Sequence, residues 1–558
     1  MADFAYCRTA QTWAVKSLLK IAGLYWHTLK HLRPVQFTGR VRHKLARPRP
    51  DLSRAPDLNK IKGNWERPAE RSQSLLNPEV FLFLGRSGCL GDDGWDNPKR
   101  DKLWRYNQHY FDDLNAYGAA KRLDWHRDLI EKWMAENPPG VGSGWEPYPT
   151  SLRIVNWVKW SLLGAPLTEK AIHSLAVQTR WLARNLEWHL LGNHLFTNAK
   201  ALIFAGLFFE GEEADGWVRL GREILLKELP EQILPDGGQF ELSPMYHALA
   251  LEDVLDLINI LRAASRPGNE ALITALEDRV VPMLDWLASM SHPDDQITFF
   301  NDAAFGIAPE NAELRTYAQR LGFQSSPAAS ELTSLEDSGY VRLSTGPIVL
   351  ITDVAEVGPS YLPGHAHADT LSFECSAFGQ RMIVNSGTSV YGTSAERLRQ
   401  RGTATHSTVV VRDQNSSEVW GGFRVARRAH ILRRSCRRDG DVLTVEATHD
   451  GYMRLAAGPK HTRTWRLLEG SLTIVDEVCP LDEAKAIFHI HPNVAIDQET
   501  TRSGRMVLGN GEVVRWSSKT DVQVSDGTWH PEFGKSIPNQ RLVVPLIRGK
   551  SKLVFSWS

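Results

Sequence analysis

Cysteine is scarce in this 558-residue chain, and its five copies, at positions 7, 89, 375, 436 and 479, are widely spaced. An odd number at such spacing provides neither a disulfide framework nor the paired ligands of a zinc finger. Long apolar runs are also lacking. The longest, Ala201 to Phe209, is far shorter than the roughly 18 residues that a membrane span requires. The sequence therefore predicts no transmembrane segment.

The chain has no excess of either charge, because 65 lysines and arginines balance 65 aspartates and glutamates. A strongly basic nucleic-acid-binding protein is therefore not expected. The balance is uneven, since residues 1–50 contain ten basic residues and one acidic residue, Asp3. No clear signal peptide is recognisable there, because charges such as Arg8 and Lys16 interrupt any apolar region. This stretch instead fits a basic segment that packs on the protein or touches an anionic surface.

Apolar spacing divides the rest of the chain into two regions. At roughly 150 residues per domain, the length predicts three to four structural units or two large ones. From about 95 to 330 the spacing is helical, as at Leu251, Val254 and Ile258. From about 335, short runs rich in β-branched and aromatic residues predict strands, with a hairpin turn at Glu469-Gly470. The predicted strands are Tyr340–Leu343, Ile348–Thr352, Leu371–Phe378, Thr408–Val411, Thr462–Leu468, Ser471–Val475, Leu542–Leu546 and Leu553–Trp557.

The fold class predicted from these patterns is multidomain α plus β. We expect a basic lead-in over residues 1–94, an all-helical domain over 95–330 and an antiparallel β-sandwich or barrel over 331–558. Tryptophan is abundant, with nineteen copies, nine of which lie between Trp95 and Trp188. Aromatic rings fill helical cores and also stack on the apolar faces of sugars. This density favours a carbohydrate-related function.

The first candidate site is His365-Ala366-His367-Ala368-Asp369, directly before a predicted strand. In an extended segment, alternate side chains share one face, so His365, His367 and Asp369 would converge. Two imidazoles and a carboxylate form either a metal site or an acid/base cluster.

A second candidate is the start of a predicted helix at Ser243-Pro244, where serine is an N-cap and proline occupies the first turn. Tyr246 and His247 then lie in that turn, where the helix dipole favours negative charge. We therefore expect a lowered pKa for the Tyr246 phenol, aided by a cation such as Arg153.

Two further stretches combine polar residues with chemistry-bearing side chains. Asn193 and His194 precede an apolar helix, in which Asn198 is expected to be structural. After Tyr391, several arginines could bind carboxylates or sulfates in bidentate geometry, or could form a solvated face. These arginines are Arg397, Arg399 and Arg401.

Taken together, these stretches resemble the heparinase II/III-like polysaccharide lyases. The resemblance implies an (α/α) toroid of helices, then an antiparallel β-sandwich, with the active site between them. It also implies β-elimination on an acidic polysaccharide that contains uronic acid. The motifs that carry it, in chain order, are Arg105–Phe111, Gly144–Pro149, Asn193-His194, Asp236–His247 and His365–His406.

The resemblance also implies roles for five residues. The proton removed in β-elimination lies next to a carboxylate, so hydrogen-bond donors must stabilise the charge that develops there. Asn193 and His194 match the positions that neutralise this carboxylate, and His365 matches a histidine that assists them. A base and an acid are also needed. Tyr246 matches the catalytic tyrosine and Tyr391 a second tyrosine, with the assignment of base and acid left open.

Substrate binding and a structural zinc ion complete what the resemblance implies. The zinc ligands would be His367, position 385 and His406, but this chain has Asn385 where the family pattern has aspartate. No organic cofactor is expected, and the family suggests the periplasm or cell envelope, with the cytoplasm as the alternative. The oligomeric state is not indicated. The expected substrate-binding residues are Trp145, Tyr148, Glu241, His247 and Arg401.

Two alternatives remain open from the sequence. A glycoside hydrolase on the same helical toroid would use two carboxylates, Glu241 and Asp302. A non-catalytic acidic-polysaccharide-binding or assembly protein could keep the fold without its chemistry. The sequence names neither the uronate polymer nor the stereochemistry of elimination.

Overall fold

Helices make up the first large part of the chain, as predicted. The computed structural model describes residues 19–46, 48–325 and 330–558. The basic residues Arg8 and Lys16 and the acidic Asp3 therefore lie outside the described residues. Within the described residues, no helix combines the length and apolarity that crossing a bilayer requires. The main helices are Pro34–Leu45, Lys102–Tyr110, Leu123–Glu136, Pro147–Leu162, Glu169–Arg184, Gly192–Phe208, Glu212–Gln232, Pro244–Ala264, Glu270–Ser289 and Asn311–Arg320.

The apolar faces of these helices form one core. Leu251, Val254 and Ile258 are fully buried, so the spacing that predicted this helix also describes its packing. Of the nine tryptophans between Trp95 and Trp188, six are buried in the same core. Their density therefore reflects helix packing. The six are Trp95, Trp104, Trp133, Trp145, Trp157 and Trp160.

The loop at Pro235–Gly238 shows why a glycine is required at a close approach of two backbones. Gly237 has φ of +89°, and a Cβ there would lie 2.1 Å from the Pro282 carbonyl oxygen. Only glycine fits such a conformation without strain. The loop brings Asp236 onto the second part of the chain, where its carboxylate accepts the Ser338 backbone N–H at 2.7 Å.

Antiparallel strands make up the second part, in two large sheets with an apolar layer between them. The predicted strands are all present, and the hairpin at Glu469-Gly470 pairs Leu468 with Ser471. In sheet order, the eight-stranded sheet contains Ile431–Asp439, Val442–His449, Lys460–Leu468, Ser471–Cys479, Lys550–Ser556, Val513–Ser518, Ser503–Val507 and Ala495–Thr500. The nine-stranded sheet contains Gln523–Trp529, Ile537–Pro545, Ala484–Ile490, Gln380–Val384, Phe373–Ala377, Ile348–Asp353, Tyr340–Thr345 and Leu332–Leu335, with Val409–Val411 beside Ala484–Ile490.

An apolar cluster joins the two parts. Trp286 and Phe300 from the helical side pack with Tyr340 and Ile351 from the sheet side, and Trp286 Nε1 donates to Ser338 Oγ at 2.9 Å. The last helix ends at Arg320 and the first of these strands begins at Leu332. The predicted boundary at residue 330 adjoins the undescribed residues 326–329 and stays a prediction.

The lead-in also contains structure that the sequence did not predict. Three short strands form a small antiparallel sheet before the helical domain. They are Leu75–Asn77, Val80–Phe83 and Arg86–Cys89.

Candidate active site

Two tyrosine hydroxyls from different domains meet at the junction of the helical and sheet parts. The Tyr246 and Tyr391 hydroxyl oxygens are 3.0 Å apart and share a hydrogen bond. Tyr246 is presented by the first turn of helix Pro244–Ala264, whose N-cap Ser243 accepts the Tyr246 N–H as predicted. Both tyrosines are partly exposed. The two phenols can therefore exchange a proton with each other. The partly exposed place between the two domains where they meet is the crevice.

His365 lies against this pair. Its ring centroid is 3.9 Å from that of Tyr246 and 5.9 Å from that of Tyr391. Its Nδ1 is 2.8 Å from Asp302 Oδ2, and the side chain is 13% exposed. The carboxylate therefore fixes the ring and leaves Nε2 directed away from Asp302.

Asp302 is the centre of a buried network behind the crevice. Its other oxygen lies 2.8 Å from His367 Nε2, and the Arg397 guanidinium pairs with both carboxylate oxygens. Burial opposes ionisation, but Arg397 and the two histidines hold the pKa of Asp302 well below its ordinary value. The predicted convergence of His365 and His367 is confirmed, although they converge on this carboxylate.

Asn193 and His194 begin helix Gly192–Phe208. His194 Nδ1 is 3.0 Å from Glu187 Oε1, and its ring lies 4.6 Å from that of Tyr148. Burial works against the imidazolium, yet the Glu187 carboxylate outweighs it and raises the pKa of His194. The predicted structural role of Asn198 is confirmed, because it donates to Ser151 Oγ and Glu187.

Glu241 connects the Asn193 side of the crevice to the His365 side. It is 1% exposed, its Oε2 lies 3.7 Å from His365 Nε2, and the Asn193 backbone favours its charged form. Burial raises the pKa of Glu241, while His365 and His194 act in the opposite direction. Tyr246, Tyr391, His365, Asn193 and His194 therefore surround one crevice.

Several backbone positions beside these residues are strained. Leu191, Leu242 and Asn301 have φ values of +65°, +60° and +56°, a region that non-glycine residues rarely adopt. Leu191 lies directly before the Gly192–Phe208 helix, Leu242 follows Glu241 and Asn301 precedes Asp302. Such strain is concentrated at functional sites, where surrounding contacts hold the side chains in place.

Two predictions about the surroundings of Tyr246 are wrong. Burial, together with Tyr391 and Asp302, raises the pKa of Tyr246 well above the ordinary value, so the phenol is not acidified by the helix dipole. Arg153 is not beside it, because Arg153 is fully buried and donates to Gln178 Oε1 at 2.9 Å. The environment of Tyr246 keeps its hydroxyl protonated.

Three of the expected substrate-binding residues are enclosed by protein. Trp145 is 2% exposed and donates to the Asn137 carbonyl oxygen. His247 lies 2.9 Å from the Met283 carbonyl oxygen, and Arg401 donates to the Ala366 carbonyl oxygen at 2.7 Å. In each residue the polar group is bonded to a backbone carbonyl oxygen inside the protein, so it is not available to a sugar. Tyr148 lies at the crevice against His194. Glu241 is buried beside it, near His365.

The predicted zinc ligands form a changed set. His367 Nδ1 and His406 Nε2 lie 3.2 Å apart, and one carboxylate oxygen of Asp369 completes a group whose atoms lie within 4.8 Å of one another. Asn385 Oδ1 accepts the Ser407 backbone N–H at 2.9 Å, and its role as a zinc ligand stays a prediction. Two imidazoles and a carboxylate suit zinc, and the Asp302 carboxylate on the other nitrogen of His367 is a typical supporting contact. The residues present therefore fit the ion.

Sequence reasoning missed three residues of the site. Arg397 was named only as one of several arginines, and Glu187 was not singled out. Phe423, 43% exposed, has its ring 6.0 Å from His365 and 5.3 Å from Tyr391. No periodic pattern marks Phe423, which lies in the turn of a two-stranded hairpin.

Two family models match nearly the whole chain beyond its N-terminal segment. The heparinase II/III N-terminus matches residues 93–325, and the heparinase II/III-like C-terminal model matches residues 327–558. The chain belongs to the heparinase II/III family. The resemblance inferred from the motifs is thereby confirmed.

Curated relatives of this family member differ in how they are named. A heparin-sulfate lyase of Bacteroides stercoris is 27% identical over 447 residues, which cover 68% of this chain and 63% of that protein. The chain thus spans slightly less than two thirds of that lyase. The FtsZ-localized protein C of Caulobacter vibrioides is 26% identical over 548 residues, which cover 90% of this chain and 89% of that protein.

Solved structures share the fold at low sequence identity. A heparinase III structure aligns with a TM-score of 0.62 at 17% identity, covering 81% of this chain and 76% of that one. A heparan sulfate lyase of Pedobacter heparinus aligns with a TM-score of 0.60 at 19% identity, covering 94% and 88%. The fold is therefore a helical toroid followed by an antiparallel β-sandwich.

Proposed function

We propose that this chain is a polysaccharide lyase that cleaves a uronic-acid-containing acidic polysaccharide by β-elimination. The observation that carries the proposal is the Tyr246–Tyr391 hydroxyl pair, 3.0 Å apart, beside His365 in the inter-domain crevice. β-Elimination removes a proton next to a carboxylate and expels a glycosidic oxygen, so it needs a proton-transfer group and donors for the carboxylate.

Neutralisation of the substrate carboxylate is assigned to Asn193, His194 and His365. Among the described residues, none forms a hydrogen bond with the Asn193 side-chain amide, so the amide is available to a ligand. The raised pKa of His194 favours an imidazolium, which donates more strongly to an anion than a neutral ring does. His365 is held by Asp302 through Nδ1, which leaves Nε2 to face the substrate.

Proton transfer is assigned to Tyr246 together with Tyr391. Both phenols have raised pKa values, Tyr391 through burial and the Asp302 charge, so the resting pair is neutral. A neutral phenol can protonate the departing glycosidic oxygen directly. One hydroxyl accepts the α-proton while it passes its own proton through the shared hydrogen bond to the other hydroxyl, which protonates the glycosidic oxygen. Substrate stereochemistry decides which hydroxyl acts first.

Aromatic rings at both sides of the crevice are assigned to sugar positioning. Phe423 is exposed beside Tyr391 and His365, and Tyr148 is partly exposed against His194. Rings of this kind stack on the apolar faces of sugars. They would hold a sugar residue on each side of the bond to be cleaved.

A structural zinc ion is part of the proposal. His367, Asp369 and His406 would hold it, in place of the set that included Asn385. A bound zinc ion would fix these side chains and the segment that carries His365. Catalysis in this proposal is carried out by the side chains of the crevice.

The hydrolase alternative is not supported by the surroundings of Asp302. This carboxylate is fully buried and is paired with Arg397, His365 and His367. Both of its oxygens are bonded to these buried partners, so it can neither attack a sugar nor activate a water molecule beside one. Glu241 then lacks the second carboxylate that glycoside hydrolysis requires.

The lyase proposal is tested with heparan sulfate, hyaluronan, alginate, polyglucuronate and a native exopolysaccharide. The expected result is ultraviolet absorbance from unsaturated uronate ends on at least one polymer. Tyr246→Phe should reduce kcat/KM by about 10³-fold, while Tyr117→Phe, an exposed tyrosine outside the crevice, should not. Full activity of Tyr246→Phe would remove the assignment, and no absorbance on any uronate polymer would contradict the proposal.

A second candidate, assembly with the division protein FtsZ, is supported by one observation. The match to the Caulobacter FtsZ-localized protein C covers 90% of this chain, more than the match to the Bacteroides stercoris lyase. Sedimentation with FtsZ filaments tests it. Co-sedimentation without any unsaturated product would favour this second role over the lyase.

A further inference from the structure

The segment formed by residues 19–45 exposes an unusual number of large apolar side chains. Trp26 is 68% exposed and Leu45 is 75% exposed. Burial of such groups is normally favourable, and contiguous exposed apolar surface marks an interaction site. The full set is Leu19, Ile21, Tyr25, Trp26, Leu29, Val35, Phe37, Val41 and Leu45.

Helix Pro34–Leu45 has its apolar stripe on the solvent side. Gly39 and His43, four residues apart, face the protein: a Cβ on Gly39 would meet the His189 backbone at 2.8 Å, and the His43 ring stacks on that of His189 at 4.4 Å. Phe37, Val41 and Leu45 are also spaced by four, so they share one face of the helix. Each is offset by two residues, about 200°, from the protein-facing positions. The stripe therefore points away from the protein.

The preceding helical residues, 19–29, show the same arrangement. Thr28 faces the protein, since its Oγ1 accepts the Trp420 indole N–H at 3.0 Å. Leu19, Trp26 and Leu29, at positions i, i+7 and i+10, share the opposite face and are 67%, 68% and 37% exposed. Two consecutive helical stretches therefore present apolar stripes outward.

The charged residues around these apolar stripes are all positive. Residues 19–50 contain eight lysines and arginines and no acidic residue. By helical spacing, Arg40 lies on one side of the Phe37–Leu45 stripe and Arg42 on the other. An apolar stripe flanked by cations is typical of helices that lie in the interface of an anionic bilayer.

Contacts on the inner side hold the segment against the protein. Arg33 pairs with Glu231 of the helical domain at 2.9 Å, and the Tyr25 ring lies 4.8 Å from that of Trp420 in the sheet part. The inner faces are thus already occupied by the chain's own residues. The outer apolar faces are left for a partner.

We propose that the N-terminal face, defined as Leu19, Trp26, Leu29, Phe37, Val41 and Leu45 with the flanking cations Lys20, Lys30, Arg40 and Arg42, binds the surface of a bilayer containing anionic lipid. The apolar side chains enter the boundary between headgroups and acyl chains, and the cations contact lipid phosphates. This function is separate from the lyase proposal. A second copy of the chain is disfavoured as the partner, because two such faces would repel each other electrostatically.

Sedimentation with vesicles tests the proposal on the full-length chain. The vesicles are phosphatidylcholine alone, or phosphatidylcholine with about one third phosphatidylglycerol. We expect sedimentation with the anionic vesicles, weakened by salt, and little with the neutral ones. The triple variant Trp26→Glu, Val41→Glu, Leu45→Glu should lower the partition coefficient at least about tenfold. Arg40→Gln with Arg42→Gln should lower it several-fold.

The matched control is Leu163→Glu, Leu481→Glu, Ile547→Glu, which changes residues 44%, 64% and 57% exposed outside residues 19–45. It should bind vesicles as the wild-type chain does, and circular dichroism checks that all variants are folded. Equal losses in both triple variants, no vesicle binding, or equal binding to neutral vesicles would overturn the proposal. Two other results would also overturn it, if the wild-type chain does not bind vesicles. One is a dimer that the first triple variant abolishes, and the other is binding to soluble polyglucuronate that this variant abolishes. Vesicle binding is scored separately from lyase activity, so either proposal can fail alone.

Discussion

Two fully buried aspartates, Asp302 and Asp256, each organise a cluster of charges, but only the Asp302 cluster lies against the tyrosine pair. Asp256 lies inside the helical domain, where Lys200 Nζ is 2.6 Å from its Oδ2 and the Tyr317 hydroxyl donates to Oδ1 at 3.1 Å. Lys159 pairs with it as well. Burial opposes ionisation in both clusters, and the cationic partners nevertheless lower both aspartate pKa values.

The difference lies in the outer members of each cluster. Lys159 and Lys200 are each 3% exposed, and the Asp256 cluster reaches solvent through Asp253, which pairs with Lys200 and is 18% exposed. The Asp302 cluster instead ends in His365, which is 13% exposed and lies against Tyr246. A buried charge cluster is therefore not a functional signal by itself. The signal is a cluster whose edge is open beside a proton-transfer group.

Asp302→Asn should have the broadest effect, because it affects both stability and chemistry. It leaves the Arg397 charge without its partner, which should lower the free energy of unfolding by about 3–5 kcal/mol. It also releases His365, which should lower kcat/KM by about 10–100-fold in the protein that stays folded. Denaturant unfolding and the absorbance assay measure the two effects. Unchanged kcat/KM in folded Asp302→Asn would contradict the claim that the Asp302 cluster positions His365 for catalysis.

Asp256→Asn is the matched change in the cluster away from the tyrosine pair. It should lower the free energy of unfolding by about 3–5 kcal/mol and leave kcat/KM within about twofold. Since the folded-state pKa of Asp256 is lowered, its contribution is present above the ordinary value near 3.8 and is lost as pH falls through the folded value. The difference from wild type should therefore shrink in acid. A selective loss of activity would contradict the contrast between the clusters.

Tyr391→Phe should affect chemistry alone. It removes the hydroxyl 3.0 Å from that of Tyr246, which should lower kcat/KM by about tenfold to 100-fold while the free energy of unfolding changes by less than about 1 kcal/mol. Tyr25→Phe, in the N-terminal segment, is the control and should behave as wild type. Equal activity of the two variants would assign Tyr391 to structure.

Glu241→Gln should have the smallest effect and the opposite sign for stability. Burial raises the folded-state pKa of Glu241, so its protonation favours folding in acid and that stability is lost as pH rises through the folded value. Glutamine has no charge to bury, so the variant should unfold at a higher temperature than wild type at neutral pH, with the gap closing in acid. A lower Tm at neutral pH would show that the Glu241 charge is stabilised by His365 and His194.

The sequence predicted the fold well because its signals are local. Apolar spacing in Pro244–Ala264 and alternation in Lys460–Leu468 reflect burial on one face, which each element carries in its own residues. Ser243 at the helix start is equally local. The three-stranded sheet near Leu75 was missed because its strands are only three or four residues long.

The sequence named candidate residues that lie close together in the structure, but it did not predict their surroundings. Tyr246, His365 and Asn193 were found by motif, yet the direction of the Tyr246 pKa depends on burial by distant segments. Asp302 was considered only as a carboxylate of the hydrolase alternative, and no local pattern indicates that it pairs with Arg397. The zinc set implied by the resemblance included Asn385, and spacing does not show that Asp369 lies beside His406. Convergence in three dimensions is the information that spacing lacks.

The most direct measurement of the central claim is mass spectrometry of the products from a defined uronate oligosaccharide. Elimination adds no water, so the two products should together have the mass of the substrate, with the double bond on the new non-reducing end. The same products should be nearly absent with Tyr246→Phe. Products heavier by one water molecule in total, or unchanged amounts with Tyr246→Phe, would contradict elimination by the tyrosine pair.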